Sequence, residues 1–208
     1  YTHRVRDHEE GGLGKVTIEE AFEHSSNVAM ARLVDEHFGL KPGNFLNYFD
    51  KLHLSKRLGI QIAGEPEPKI KRPGEKGWSG ISLPWMAYGY GFEITPLHIL
   101  ALYNAVANDG VMIKPVIVKS VKKADENEET FATDVINGRI CSDATLKKLR
   151  ILLEGVVENG TAKNIKRAHY RIAGKTGTAQ ILENGSYTRK YITSFVGYFP
   201  AHAPKYSA

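Results

Sequence analysis

The ten residues RIAGKTGTAQ (171–180) constrain the fold more than any other part of this sequence. A run of β-formers and small residues reads as a strand, yet it carries two glycines. A strand interior tolerates Gly only where a backbone or a ligand must come close. A second strand-like run spans 191–199, and ENGSYTRK (183–190) between the two reads as a hairpin loop. A hairpin this late in the chain needs an apolar partner to cover one face, and what precedes it is mostly helical. The pattern predicts a mixed α/β (α+β) chain with segregated elements: a mostly helical part over about 17–165, and a late β-hairpin over about 170–208.

The helices announce themselves by their ends. Thr17 and Glu20 have the spacing of a capping box, followed by apolar positions Ile18, Ala21 and Phe22. The periodicity breaks at Ser25-Ser26-Asn27, resumes through Val28, Ala29, Leu33, Val34 and Phe38, and stops at Gly39. Two helices separated by a short polar break are expected there, then another over KPGNFLNYFDKLHL. Residues 59–84 hold four of the nine prolines and read as an irregular excursion. TPLHILALYNAVANDG has Thr95 as N-cap, Pro96 in the first turn and Gly110 as stop. VMIKPVIVKSVKK is a β-branched run leading into the acidic loop ADENEE. A further helix starts after Ser142, presents Leu146, Leu149, Leu153 and Val156 on one face, and ends at Gly160.

Composition excludes several function classes. The 208 residues are 42% hydrophobic and 25% charged, with a net charge of +5, enough for a sizeable core. The densest basic cluster, Lys69-Ile70-Lys71-Arg72, has acidic neighbours Glu65, Glu67 and Glu75, so no concentrated patch marks a nucleic-acid binder. A single cysteine, Cys141, allows no internal disulfide, and the eight histidines show no metal-ligand spacing. No metal or other cofactor is implied. No apolar run is long enough for a membrane helix. The chain lacks an initiator Met and ends at PKYSA, so it reads as a piece of something longer.

Two short segments carry chemistry. Ser25 offers a hydroxyl that can relay a proton, and Asn27 an amide that can hold a peptide group. Lys175, with the Thr176 and Thr178 hydroxyls, can hold a carboxylate through charge-assisted hydrogen bonds. Gly177 removes a side chain that would block the strand edge, whose N–H groups can donate to an oxyanion. Each residue also has a plain reading: Ser25 as a helix N-cap, Lys175 as a surface lysine, and Thr176 and Thr178 as ordinary strand residues. Trp78, Trp85, Tyr88, Tyr90 and Phe92 read as core aromatics before a sugar-binding platform.

S-x-N followed downstream by K-T-G resembles the second and third signatures of the penicillin-binding proteins and serine β-lactamases. EEAFEHSSNVAMARL, MAYGYGFEITPLHILALYNAVANDGVMIKP, LEGVVENGTAKN, YRIAGKTGTAQ and ITSFVGYFPAHAPKY are similar, in order, to the transpeptidase domain of class B penicillin-binding proteins. The resemblance implies an antiparallel sheet flanked by helices, incomplete here, plus a mostly helical subdomain. It implies catalytic roles for Ser25, Asn27 and Lys175, and substrate binding by Ser26, Thr176, Gly177 and Thr178. The implied ligands are stem peptides ending in D-Ala-D-Ala and β-lactams. The implied partners of the parent are glycan-polymerising and division or elongation proteins, on the outer face of a bacterial cytoplasmic membrane. GEPEPKIKRPGE holds no E-x-x-x-N pattern of a hydrolytic loop, which favours a transpeptidase over a β-lactamase; a non-catalytic module with this fold is the other alternative.

The family's first signature, S-x-x-K, should precede Ser25, and no serine does. Ser120-Val121-Lys122-Lys123 has the spacing, but an extended strand would point Ser120 and Lys123 to opposite faces. The expectation is therefore an enzyme parent and an inactive 208-residue piece whose open sheet edges invite self-association.

Overall fold

The computed structural model describes residues 4–9, 11–122, 124, 128–183 and 186–208. Among the described residues six α-helices and nine strands follow one another, with a 3-10 turn at Lys163–Ile165. They are α1 (Ile18–Glu23), α2 (Asn27–Phe38), α3 (Pro42–Lys51), β1 (Lys69–Ile70), α4 (Ser82–Met86), β2 (Phe92–Glu93), α5 (Pro96–Ala107), β3 (Met112–Ile113), β4 (Ser120–Lys122), β5 (Glu128–Thr130), β6 (Val135–Asn137), α6 (Asp143–Glu158), β7 (Ala173–Glu183), β8 (Ser186–Phe199) and β9 (Tyr206–Ser207). Among the described residues no helix is long and apolar enough to cross a membrane.

Local chemistry sets the helix starts. At α1, Thr17 accepts from Glu20 N–H while the Glu20 carboxylate accepts from Thr17 N–H at 2.8 Å, so two orphan donors are satisfied reciprocally. Thr95 and Ser142 cap α5 and α6 more simply, their hydroxyls accepting from His98 N–H and Thr145 N–H. Pro at the start of α3 and of α5 supplies the fixed φ that a first turn needs.

The main sheet has the order β7-β8-β9, all antiparallel. Leu146 and Leu153 of α6, Val106 of α5, Ala173 of β7 and Tyr198 of β8 form one buried cluster that fastens the sheet to both helices. Asn104 of α5 donates to Ser207 Oγ at 3.1 Å and ties down β9. A second cluster, Val156, Val157 and Ala162 with Phe22 packed on it, joins α1 to the end of α6. The remaining clusters gather α3, α4 and α5 with the irregular excursion, which contains the two-residue β1 and runs into α4. His98, 1% exposed, is pinned there by both ring nitrogens. Its Nε2 faces the Lys56 carbonyl at 2.9 Å, which can only accept, so Nδ1 takes the Thr95 hydroxyl proton at 2.7 Å.

Two expectations need correction. Residues 186–190, read as hairpin loop, belong to β8, and pairing with β7 continues to Glu183↔Ser186 after a register shift between Gln180 and Leu182. Asn184 and Gly185 lie outside the described residues. The run VMIKPVIVKSVKK is not one strand. Pro115 follows β3, which pairs with β6, whereas β4 pairs with β5 in a separate ladder. Residues 125–127 of the acidic loop lie outside the described residues.

Candidate active site

The break between α1 and α2 is a tight corner. Ser26 N–H donates to Ala21 O at 2.8 Å and Ser25 N–H to Phe22 O at 3.1 Å, which leaves Ser25 with a left-handed backbone at φ 56°. Such a conformation costs an L-residue roughly 1 kcal/mol, so surrounding contacts must hold it. The corner turns the Ser25 hydroxyl towards β7, where Lys175 Nζ donates to Ser25 Oγ. Two residues 150 positions apart in sequence thus become hydrogen-bond partners.

Lys175 is half-buried against the Phe22 ring, with Nζ 5.9 Å from the ring centroid. Burial penalises its cation and lowers its pKa to about 8. A lysine so tuned is partly neutral near physiological pH and can both give and take a proton.

Thr176 is held from the side. Its hydroxyl lies 2.5 Å from the Thr161 hydroxyl, just past the end of α6. Thr161 N–H donates to Glu23 O at 3.1 Å, and Asn159 Nδ2 reaches the Glu23 carboxylate at 3.3 and 3.4 Å. Glu23, the last residue of α1, fits into a notch between α1 and α6 that two glycines make. A Cβ on Gly155 would stand 2.0 Å from Glu23 Oε1, and one on Gly160 would stand 2.2 Å from Glu23 O. The notch brings the Ser25 corner and the Thr176 strand to a common edge.

Gly177 also borders a cross-strand neighbour. A Cβ there would meet Ser194 Oγ of β8 at 2.6 Å, so its missing side chain makes room for a cross-strand neighbour. Thr178 pairs with Thr193 on β8. The other side of β7 carries no paired strand among the described residues.

Ser26 does not meet the substrate-binding expectation through its side chain. It is 3% exposed and caps α2, accepting from Ala29 N–H at 3.0 Å and donating to both Asp7 carboxylate oxygens at 3.1 Å. The N-cap role considered for Ser25 belongs to Ser26. Asn27 donates from Nδ2 to Arg6 O at 3.2 Å. It also lines a cavity of about 280 Å3 with Trp85, Tyr88, Tyr90 and Gln180. Of the aromatics read as core, Trp78 and Phe92 pack on the α3 cluster, whereas Trp85, Tyr88 and Tyr90 line this cavity. Ser120 lies on β4, and Lys123 lies outside the described residues.

Sequence reasoning missed Asp7, Glu23, Asn159 and Thr161. Thr161 sat inside the quoted ENGTA string, but nothing in its spacing pointed across to Thr176. No group of three metal-ligating side chains occurs among the described residues.

The pairing of an S-x-N corner with a K-T-G strand can be set against known proteins. The model of the penicillin binding protein transpeptidase domain matches residues 1–208. This chain belongs to the penicillin-binding protein transpeptidase family. It is similar to stage V sporulation protein D of Bacillus subtilis, at 29% identity over 206 residues, covering 97% of this chain and 31% of that protein. Penicillin-binding protein PbpB of Mycolicibacterium smegmatis is 32% identical over 214 residues, with 97% and 32% covered. Penicillin-binding protein 3 of Mycobacterium tuberculosis, solved with aztreonam, superposes with a TM-score of 0.84 at 30% identity, covering 98% of this chain and 46% of that one. The penicillin-binding transpeptidase fold, mixed α/β with antiparallel sheets, is thereby established. The chain spans about a third of the length of these curated relatives.

Proposed function

We propose that these residues form the S-x-N and K-T-G half of a peptidoglycan D,D-transpeptidase site. The observation that carries the reading is the hydrogen bond between Lys175 Nζ and Ser25 Oγ. In this reading a serine of an S-x-x-K helix, supplied by the whole protein, attacks the carbonyl of a terminal D-Ala-D-Ala. It forms the acyl-serine as D-alanine leaves, and the amine of a neighbouring stem peptide then takes the acyl group. Ser25 relays the proton to the departing amine, and Lys175, poised near pKa 8, keeps that relay in register. Asn27 holds the donor peptide's amide. The Thr176 and Thr178 hydroxyls bind the terminal carboxylate, Gly177 keeps the strand edge open, and the Thr178 N–H donates to the oxyanion. A β-lactam follows the first half of the sequence and stalls as the acyl-enzyme.

The partners of the whole protein are then stem peptides, β-lactams and the proteins that polymerise glycan and drive division or elongation. The place of action is the outer face of the bacterial cytoplasmic membrane. The 208 residues alone are inactive in this reading, since they hold one S-x-x-K string and it begins on β4.

Intact-mass spectrometry after incubation with benzylpenicillin tests the proposal. The expected result is no adduct on the 208-residue chain and one adduct on the protein carrying its upstream region. An adduct on the short chain would overturn the account of the nucleophile, and none on the longer protein would overturn the transpeptidase reading.

A further inference from the structure

Two consecutive residues, Arg6 and Asp7, grip three consecutive residues at the start of α2. The Asp7 carboxylate accepts from the Ser26 hydroxyl at 3.1 Å through each oxygen, and Oδ1 also accepts from Val28 N–H at 3.0 Å. The Arg6 carbonyl accepts from Asn27 Nδ2 at 3.2 Å. A carbonyl has no proton to give, so this contact fixes which way round the Asn27 amide sits. Its NH2 end is turned to Arg6, which takes one of the two hydrogens, so the second hydrogen and Oδ1 are left in fixed places to meet a bound peptide group.

The grip falls immediately after the strained residue. On the near side, the Ser25 and Ser26 N–H groups are tied back to the Phe22 and Ala21 carbonyls of α1. On the far side the corner is held by Asp7, through Ser26 and Val28. Asp7 itself touches neither Ser25 nor Lys175 by any hydrogen bond in the structure, so its influence on them passes through the backbone of the corner.

We propose that Asp7 is a positioning residue, which holds the Ser25 corner towards Lys175 and, with the adjoining Arg6 carbonyl, fixes the orientation of the Asn27 amide for a peptide substrate. The proposal rests on the transpeptidase reading, and its tests separate the two.

In the whole protein, acylation by benzylpenicillin is resolved into non-covalent binding and the acylation step. Asp7→Ala is expected to slow the acylation step roughly 10- to 100-fold, the scale on which small misplacements act, with a smaller effect on binding. Asp7→Asn keeps an acceptor oxygen for Val28 N–H and is expected to recover most of the rate. Because Asp7 and Ser26 hold the same corner and bond each other, the Asp7→Ala/Ser26→Ala double variant should be slowed by less than the product of the two single effects. Glu65→Gln, remote from the site, should keep the wild-type acylation rate while lowering stability, which separates positioning from partial unfolding. A wild-type rate in Asp7→Ala, or strict additivity with Ser26→Ala, would overturn the proposal.

If the wild-type protein itself fails to acylate, the transpeptidase reading falls and a second measurement decides on Asp7. A 13C NMR titration of Lys175 in the 208-residue chain should show its pKa rising from about 8 towards the ordinary lysine value in Asp7→Ala, as the loosened corner admits water. Loss of a negative charge would push the pKa the other way, so an upward shift reports geometry. An unchanged or lower value would count against a positioning role.

Discussion

Glu23 decides how closely α1 approaches α6, and its two glycine neighbours differ in what they tolerate. At Gly160 an added methyl meets the Glu23 backbone carbonyl, which cannot move without dragging the Ser25 corner. Gly160→Ala is expected to lower stability by about 3 kcal/mol, at the upper end of ordinary overpacking. At Gly155 the obstacle is the tip of the Glu23 side chain, which can swing away at the cost of two long contacts from Asn159. Helix propensity improves by about 1 kcal/mol on replacing Gly by Ala, so Gly155→Ala should stay within about 1 kcal/mol of wild type. Urea denaturation midpoints of the two variants check the ordering. Residues such as Ser25, Asn27 and Lys175 were legible in the sequence because their motifs are contiguous and occur in a set order. Glu23, Thr161 and Asp7 were not, because each acts on a partner that no local period or spacing ties to it.

Single elements are stabilised by devices of the same local kind. The excursion after α3 is closed by Glu65, whose carboxylate accepts from the backbone N–H groups of Leu58 at 2.6 Å, Gly59 at 2.9 Å and Ile60 at 3.3 Å. Burial pushes the pKa of this carboxyl up, but the three donors together outweigh it and hold it below the usual glutamate value. Glu65→Gln should cost about 1–2 kcal/mol at pH 7. A depressed pKa means that the stabilisation is present above about pH 4.5 and lost as pH falls through the folded value. The gap between wild type and variant should therefore close in acid, as thermal melts at pH 7 and pH 3 would record. Helix boundaries were read well, since Thr17, Thr95 and Ser142 signal within one turn of the starts they cap. Strand boundaries were read less well. The outer half of the β7–β8 ladder carries polar residues such as Arg189 and Lys190 and looks like a loop until its pairing is known. The break after β3 depends on a pairing with β6 more than twenty residues away.

For the molecule as a whole, three buried groups shape the alkaline limb of stability. Lys175, lowered to about 8 by burial, binds its proton less tightly folded than unfolded. Stability should therefore rise with pH between about 8 and the ordinary lysine value of 10.5. Tyr103 and Tyr198 are pushed up to about 12, again chiefly by burial, so the unfolded chain loses those protons first. Stability should then fall between about pH 10 and 12. The expected profile has a maximum near pH 10. Lys175→Met should remove the rise and Tyr198→Phe should soften the fall, both readable from melting temperatures across that range.

The span between Ser25 and Lys175 also has a meaning for biosynthesis. A ribosome adding roughly 5–20 residues per second makes Ser25 about 8–30 s before it makes Lys175. Throughout that interval the corner exists without the amine it will face. What can hold it meanwhile lies within the first 28 residues: the carbonyls of Ala21 and Phe22 on one side and the Asp7 carboxylate on the other. The nascent chain thus carries its own splint for a half-built site.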